Sequence, residues 1–183
     1  MSDVKHKYLP NYTYDDYKNW EGKWELINGI PYAMSPAPGM SHQEVSANIS
    51  YQLKDLFKNC KSCKSFLPID WRIPGGDDNN VYQPDNLVIC KKVAGDYITE
   101  APVMIFEIIS PSSSYKDRHV KYEVYETNGV KYYIIVDPEK NCADVFKLEN
   151  NTYKKIAEAK DENIEFDLED DCSIEFNFEK IWN

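Results

Sequence analysis

The sequence predicts an α/β fold, a mixed β-sheet flanked by helices, with a β-hairpin near the N-terminus. Three observations carry this reading. Pro102 to Ile109 is a nearly continuous apolar run, the pattern of a strand buried on both faces, and Lys131 to Val136 is a second. Val45, Ile49, Leu53, Leu56 and Phe57 recur at helical spacing, and a second helical stretch runs from about Asp117 to Thr127. Asn28-Gly29 sits between two apolar runs, where a type I′ turn needs positive φ at both positions.

Taken in order, Thr13-Tyr14-Asp15-Asp16 reads as an N-cap with acid in the first turn, opening a short helix to about Trp20. Lys23 to Ile27 and Ile30 to Met34 form the hairpin, and the loop Ser35-Pro36-Ala37-Pro38-Gly39 breaks it off. Ser41 and Glu44 form a capping box for the next helix, which should end near Asn59. Leu67 to Ile73 and Val81 to Cys90 read as two strands joined by the turn-rich stretch from Pro74 to Asn80. The second main helix stops at Asn128-Gly129. Cys142 to Leu148 and Tyr153 to Ala159 suggest a hairpin around Glu149-Asn150-Asn151, and the last segment is short, acidic and partly aromatic. With no internal repeat or low-complexity linker, residues 1–183 read as one domain.

Composition narrows the classes. A 42% hydrophobic content with 14% aromatics fits a folded chain and not a disordered one. No stretch approaches the roughly 18 apolar residues of a membrane span, and Met1 to His6 contain no apolar signal region, so a cytoplasmic protein is expected. Five unevenly spaced cysteines suggest reduced thiols instead of a disulfide framework. Cys60-Lys61-Ser62-Cys63 could be half a zinc site, but no second close pair follows, so no zinc or redox role is expected. The net charge of -10 is concentrated: residues 137–183 hold 14 acidic and 6 basic side chains, leaving the first 136 residues nearly neutral.

Chemistry-bearing residues stand out at three places. Glu107 interrupts the apolar strand Val103 to Ile109, on the face shared with Ile105 and Ile109. A carboxylate there is costly unless it is paired or bound to a metal, although the strand's exposed end or a structural Arg partner would also explain it. Asp85 opens the strand that follows Pro84, as a ligand or simply as a cap or turn former. Two carboxylates on neighbouring strands make an all-oxygen site suited to Mg²⁺. Asp117, Lys121 and Tyr125 share one helix face, which spacing alone would explain as a surface Asp-Lys pair.

A set of ordered blocks then adds to this reading. Glu25-Leu26-Ile27-Asn28-Gly29, Met34 to Pro38, His42-Gln43, Gln83-Pro84-Asp85, Phe106 to Ser112, Asp117 to Lys121 to Tyr125, and Gly129 to Pro138 follow one another in a pattern that resembles the Uma family, over about residues 8–148. That family is restriction-endonuclease-like and belongs to the PD-(D/E)XK nuclease superfamily. The resemblance implies a restriction-endonuclease-like core and a metal-dependent endonuclease acting on phosphodiester bonds, DNA first among them. It implies Mg²⁺, with Mn²⁺ as substitute, and by analogy a homodimer. Asp85 and Glu107 match the two acids, and Glu25 a further acid that completes the metal site. The superfamily's usual lysine position, two residues after the second acid, is Ile109 here, and the family's helix position matches Lys121 instead. Gln83, His42 and Tyr125 match supporting positions, whereas Lys116 matches none. The alternative reading is a nuclease-fold binding or assembly module without catalysis, favoured by the acidic composition.

Overall fold

The computed structural model describes residues 9–34, 37–60, 62–74, 78–93, 95–169 and 172–182. Met1 to His6, Ser35-Pro36 and Gly75 to Asp77, each part of a reading above, lie outside them. The described elements are α1 (Tyr14–Tyr17), β1 (Trp24–Ile27), β2 (Ile30–Ala33), α2 (Met40–Leu56), β3 (Lys64–Phe66), β4 (Trp71–Arg72), β5 (Val81–Tyr82), β6 (Asn86–Ile89) and β7 (Met104–Ile108). A π-helical segment (Lys116–Lys121) then runs directly into α3 (Tyr122–Thr127), followed by β8 (Tyr132–Asp137), β9 (Cys142–Glu149), β10 (Thr152–Ala159), β11 (Asn163–Asp167), β12 (Ser173–Asn177) and a closing 3₁₀ turn (Glu179–Ile181).

Three sheets result. The largest is six-stranded in the order β10-β9-β8-β7-β6-β3, a second has the order β2-β1-β5-β4, and β11 pairs with β12 alone. The large sheet is mixed: β7 and β8 are parallel, joined through the helical segment, and its other pairs are antiparallel. The α/β class and the mixed sheet expected from sequence are therefore present.

Each face of the large sheet covers its own core. On one side Phe106, Ile108, Ile134 and Val145 meet Val45, Ile49 and Leu53 of α2, together with Phe166, Ile174 and Phe176 of the β11–β12 hairpin. On the other, Ile105, Tyr133 and Ile135 meet Tyr125 of α3 and Trp71 and Tyr82 of the smaller sheet. This follows from strand alternation, since Ile105 and Phe106 point to opposite faces.

The structure corrects several boundaries. The run Val81 to Cys90 is two strands in different sheets, because Pro84 cannot donate to a ladder and the chain crosses between sheets there. Leu67 to Ile73 is not one strand either: pairing with the large sheet ends at Phe66, and β4 starts at Trp71 after Pro68. Helix α2 begins at Met40 with Gly39 as its N-cap and no side-chain cap, so the Ser41–Glu44 box is not what starts it. Helix α1 stops at Tyr17, although its Thr13 cap is made, with Thr13 N and Oγ1 donating to Asp16 at 2.9 and 3.0 Å. Asn28, at φ 49°, and Gly29, at φ 75°, supply the expected hairpin turn, and Asn150 and Asn151 do the same between β9 and β10 at 53° and 61°.

The cysteines are the largest correction. Four of the five converge instead of standing as isolated reduced thiols: Cys60 is bridged to Cys172 and Cys63 to Cys90, and Cys142 is free.

Candidate active site

The crossover between sheets positions the first acid. Asn86 of β6 is paired with Phe106 of β7, so Asp85 stands at the next position of that register, across from Glu107 and on its face. Its Oδ2 accepts the backbone N–H of Ile108 at 2.8 Å and lies 3.2 Å from Nε2 of His42, brought in by the first turn of α2. Burial, the largest influence on His42, lowers its pKa, but the hydrogen bond and charge of Asp85 outweigh this and leave it raised.

Glu107 is 2% exposed. Its Oε1 accepts hydrogen bonds from Lys121 Nζ at 2.8 Å and from the Tyr125 hydroxyl at 2.7 Å. Lys121 Nζ also lies 2.8 Å from Oε1 of Glu25, on β1 of the other sheet, and 3.7 Å from Oδ1 of Asp117. One ammonium thus ties both sheets to the helix. Asp117 and Lys121 are each 2% exposed, which overturns a surface Asp-Lys pair as the reason for their spacing. The wider π-helical turns carry both residues; such turns are frequent at functional sites. Ile109, at the superfamily's usual lysine position, packs among the apolar side chains.

Glu25 is fully buried, and both of its oxygens have partners. Besides Lys121, its Oε1 accepts the backbone N–H of Gln83 at 3.1 Å, and Oε2 pairs with Lys116 Nζ at 2.5 Å. An acid whose two oxygens are already held does not fit the expected role of third metal ligand. Among the described residues, Glu25, Asp85 and Glu107 do not form a group whose oxygens all lie within 4.8 Å of one another. Lys116, which matches no position of the family pattern, is part of this site. The Gln83 side chain turns outward, donating to Asp70 at 2.6 Å beside a cleft of about 270 Å³ lined by Tyr14, Tyr17, Trp20 and Trp24.

Electrostatics separate the roles of the acids. Burial would raise the Glu25 carboxyl, but Lys121 and Lys116 overcome it and hold the pKa low. Burial pushes Glu107 well above the usual carboxylate range; Lys121 opposes this, while Asp85, Asp117 and Glu25 add to it. Burial works against the charge of Lys121, yet Glu107, Glu25 and Asp117 outweigh it and raise its pKa strongly. Burial raises Asp117 as well, against the opposing charge of Lys121, so four carboxyl groups, Glu25, Asp85, Glu107 and Asp117, share the cluster with the two ammonium groups.

This donor set fits a hard divalent cation. Lys121 and Tyr125 both take Oε1 of Glu107, and Ile108 and His42 both take Oδ2 of Asp85, so among the described residues Oε2 and Oδ1 accept no hydrogen bond. Two oriented acids with one oxygen each to spare, in a cluster short of positive charge, suit Mg²⁺ or Mn²⁺.

Comparison with known proteins places the chain in a family and matches its fold. The Uma2 family, described as "Putative restriction endonuclease", matches residues 13–177. This chain belongs to the Uma2 family. No curated protein matches it. Among solved structures, a putative nuclease belonging to DUF820 from Anabaena variabilis ATCC 29413 is similar at a TM-score of 0.74 and 14% identity, over 93% of this chain and 97% of that one. At that identity the likeness is one of fold. The Uma2 match extends beyond the residue 148 at which the sequence resemblance stops, and takes in the β11–β12 hairpin.

Proposed function

We propose that this Uma2 chain is a metal-dependent endonuclease of the PD-(D/E)XK kind, hydrolysing phosphodiester bonds in DNA. The observation that carries the reading is the one-oxygen clamp on each of Asp85 and Glu107, next to a buried lysine from the helix. Asp85 and Glu107 would hold Mg²⁺ or Mn²⁺, which supplies polarisation of a phosphoryl oxygen and a more acidic water. Lys121 opposes the burial that raises the Glu107 carboxyl and presents positive charge to the negative charge that develops during hydrolysis. Tyr125 fixes the Glu107 rotamer. His42 and the Ile108 N–H fix that of Asp85. Glu25 and Lys116 hold Lys121 in place, a positioning role in place of the metal-ligand role expected from sequence.

Purified protein incubated with plasmid, single-stranded DNA and RNA under Mg²⁺, Mn²⁺ or EDTA tests this directly. Cleavage of DNA that EDTA abolishes and that Asp85→Asn removes is the expected result. Metal should also raise the melting temperature of the wild type, since it binds the native site and not the unfolded chain. The other reading, a binding module without catalysis, is favoured by the charge of -10. It predicts metal-stimulated binding with no cleavage of any of the three substrates.

A further inference from the structure

We propose that Cys60, Cys63, Cys90 and Cys172, when reduced, form a closed tetrathiolate site for Zn²⁺. The four residues come from separate places in the chain. Cys60 and Cys63 form a C-x-x-C unit between α2 and β3, Cys90 follows β6, and Cys172 precedes β12. Pairing of β3 with β6, Lys64 against Ile89, carries Cys63 and Cys90 to facing positions, with Cα atoms 3.8 Å apart. Cys60 and Cys172 have Cα atoms 5.9 Å apart. The Sγ atoms of Cys60, Cys63 and Cys172 all lie within 4.8 Å of one another; Cys90 stands outside that group but is bonded to Cys63, one of its members.

Convergence is what bridging does not explain. Two disulfides, Cys60 to Cys172 and Cys63 to Cys90, would each hold wherever they lay in the molecule, and nothing requires the two to touch. A metal needs all four sulfurs at one point. Tetrahedral zinc with Zn–S distances of about 2.3 Å sets its sulfurs about 3.8 Å apart, within the 4.8 Å span of Cys60, Cys63 and Cys172, and a rotamer change at Cys90 on reduction would bring in the fourth. Cys63, Cys90 and Cys172 are between 3% and 6% exposed, and all three belong to the apolar cluster beneath α2. Cys60 is half-buried at the rim, and a site whose four positions are all filled by protein thiolates is structural, not catalytic. Binding is a simple exchange, four thiols and one Zn²⁺ giving the zinc tetrathiolate and four protons, with no change of oxidation state. The site would tie the end of α2, the β3 edge of the large sheet and the acidic β11–β12 hairpin together. It lies on the opposite core from Glu107 and is independent of the nuclease reading.

The test uses the intact protein, produced and purified with a phosphine reductant and without chelator. Metal analysis should give one zinc per chain, and Co²⁺ added in its place should show the intense visible bands of a tetrahedral thiolate complex. Cys60→Ser, Cys63→Ser, Cys90→Ser and Cys172→Ser should each weaken zinc binding by at least about 100-fold, more than is typical for removing a supporting partner of a ligand. Cys142→Ser, outside the cluster, should leave it unchanged. Should a serine variant fail to fold, the Co²⁺ spectrum of the wild type still decides. Reduced protein with four alkylatable clustered thiols that takes up neither Zn²⁺ nor Co²⁺ would overturn the proposal, as would full zinc occupancy in folded Cys90→Ser.

Discussion

Lys121 carries two burdens that substitutions can separate. Lys121→Ala leaves Glu25 and Glu107 buried without their shared cation, so it should destabilise by about 3–5 kcal/mol, the scale for breaking one side of a buried pair. Cleavage should fall by about 100-fold or more, the scale for losing one charge-stabilising group. The double variant Glu25→Gln/Lys121→Met replaces the pair with neutral groups of similar volume, and should recover much of the melting temperature while staying inactive. Equal activity in wild type and a folded Lys121 variant would show that the lysine only holds the sheets together. Lys116→Ala, which unpairs one oxygen of Glu25, should reduce activity less than Lys121→Ala but measurably, whereas the sequence pattern gave it no role.

A second prediction concerns pH. Asp144 on β9 is partly buried, which raises its pKa, but hydrogen bonds from Lys155 and Arg118, at 2.7 Å each, outweigh this and hold it low. A carboxyl lower in the folded state than in the unfolded one contributes stability fully above its unfolded value, and loses it as pH falls through the folded value. Asp144→Asn should therefore lower stability near neutral pH by about 1 kcal/mol, a figure reduced for water screening. The two melting curves should converge in acid. A constant difference across the whole acid range would remove the ion pairs as its cause.

Among the elements, the first hairpin is the one whose shape the site depends on. Glu25 lies on β1, and β1 is turned by Asn28-Gly29. Gly29 has φ 75°, and a Cβ there would come within 2.9 Å of the Cα of Asn11 as well as against its side-chain oxygen. Gly29→Ala should cost about 1–3 kcal/mol through backbone strain, and should reduce activity by shifting Glu25 away from Lys121. Unchanged stability in thermal melts would contradict this. The hairpin was legible because Asn-Gly declares its own turn geometry, and β7 because a long apolar run has few other uses. The crossover at Gln83-Pro84-Asp85 was not legible: the residues on both sides are strand formers, and only pairing partners reveal that they belong to different sheets. The π-helical turns were hidden for a related reason. Their residues have ordinary helical spacing, and burial of Asp117 and Lys121 comes from partners far away in sequence.

Across the whole molecule, the local chemistry was read more easily than its wiring. Asp85, Glu107, Lys121, Tyr125 and His42 are brought together as the ordered blocks suggested. Glu25 arrives at the same place, but with both oxygens taken, because two lysines compete for it. The cysteine cluster escaped notice because its four members are separated by up to 112 residues. The C-terminal hairpin escaped because its acids dominate the composition, although Phe166, Ile174 and Phe176 alternate with them and face the core.

The bridge that Lys121 makes between Glu25 and Glu107 has a consequence for the life of the chain. Its partners lie in the first strand of one sheet and an inner strand of the other, so on the proposed function the active constellation cannot exist in any fragment that has docked only one of them. A nascent or partly opened molecule would carry every functional side chain and still be harmless to nucleic acid. Activity would then appear in the last step of folding and disappear in the first step of unfolding, which makes tertiary assembly itself the safety catch.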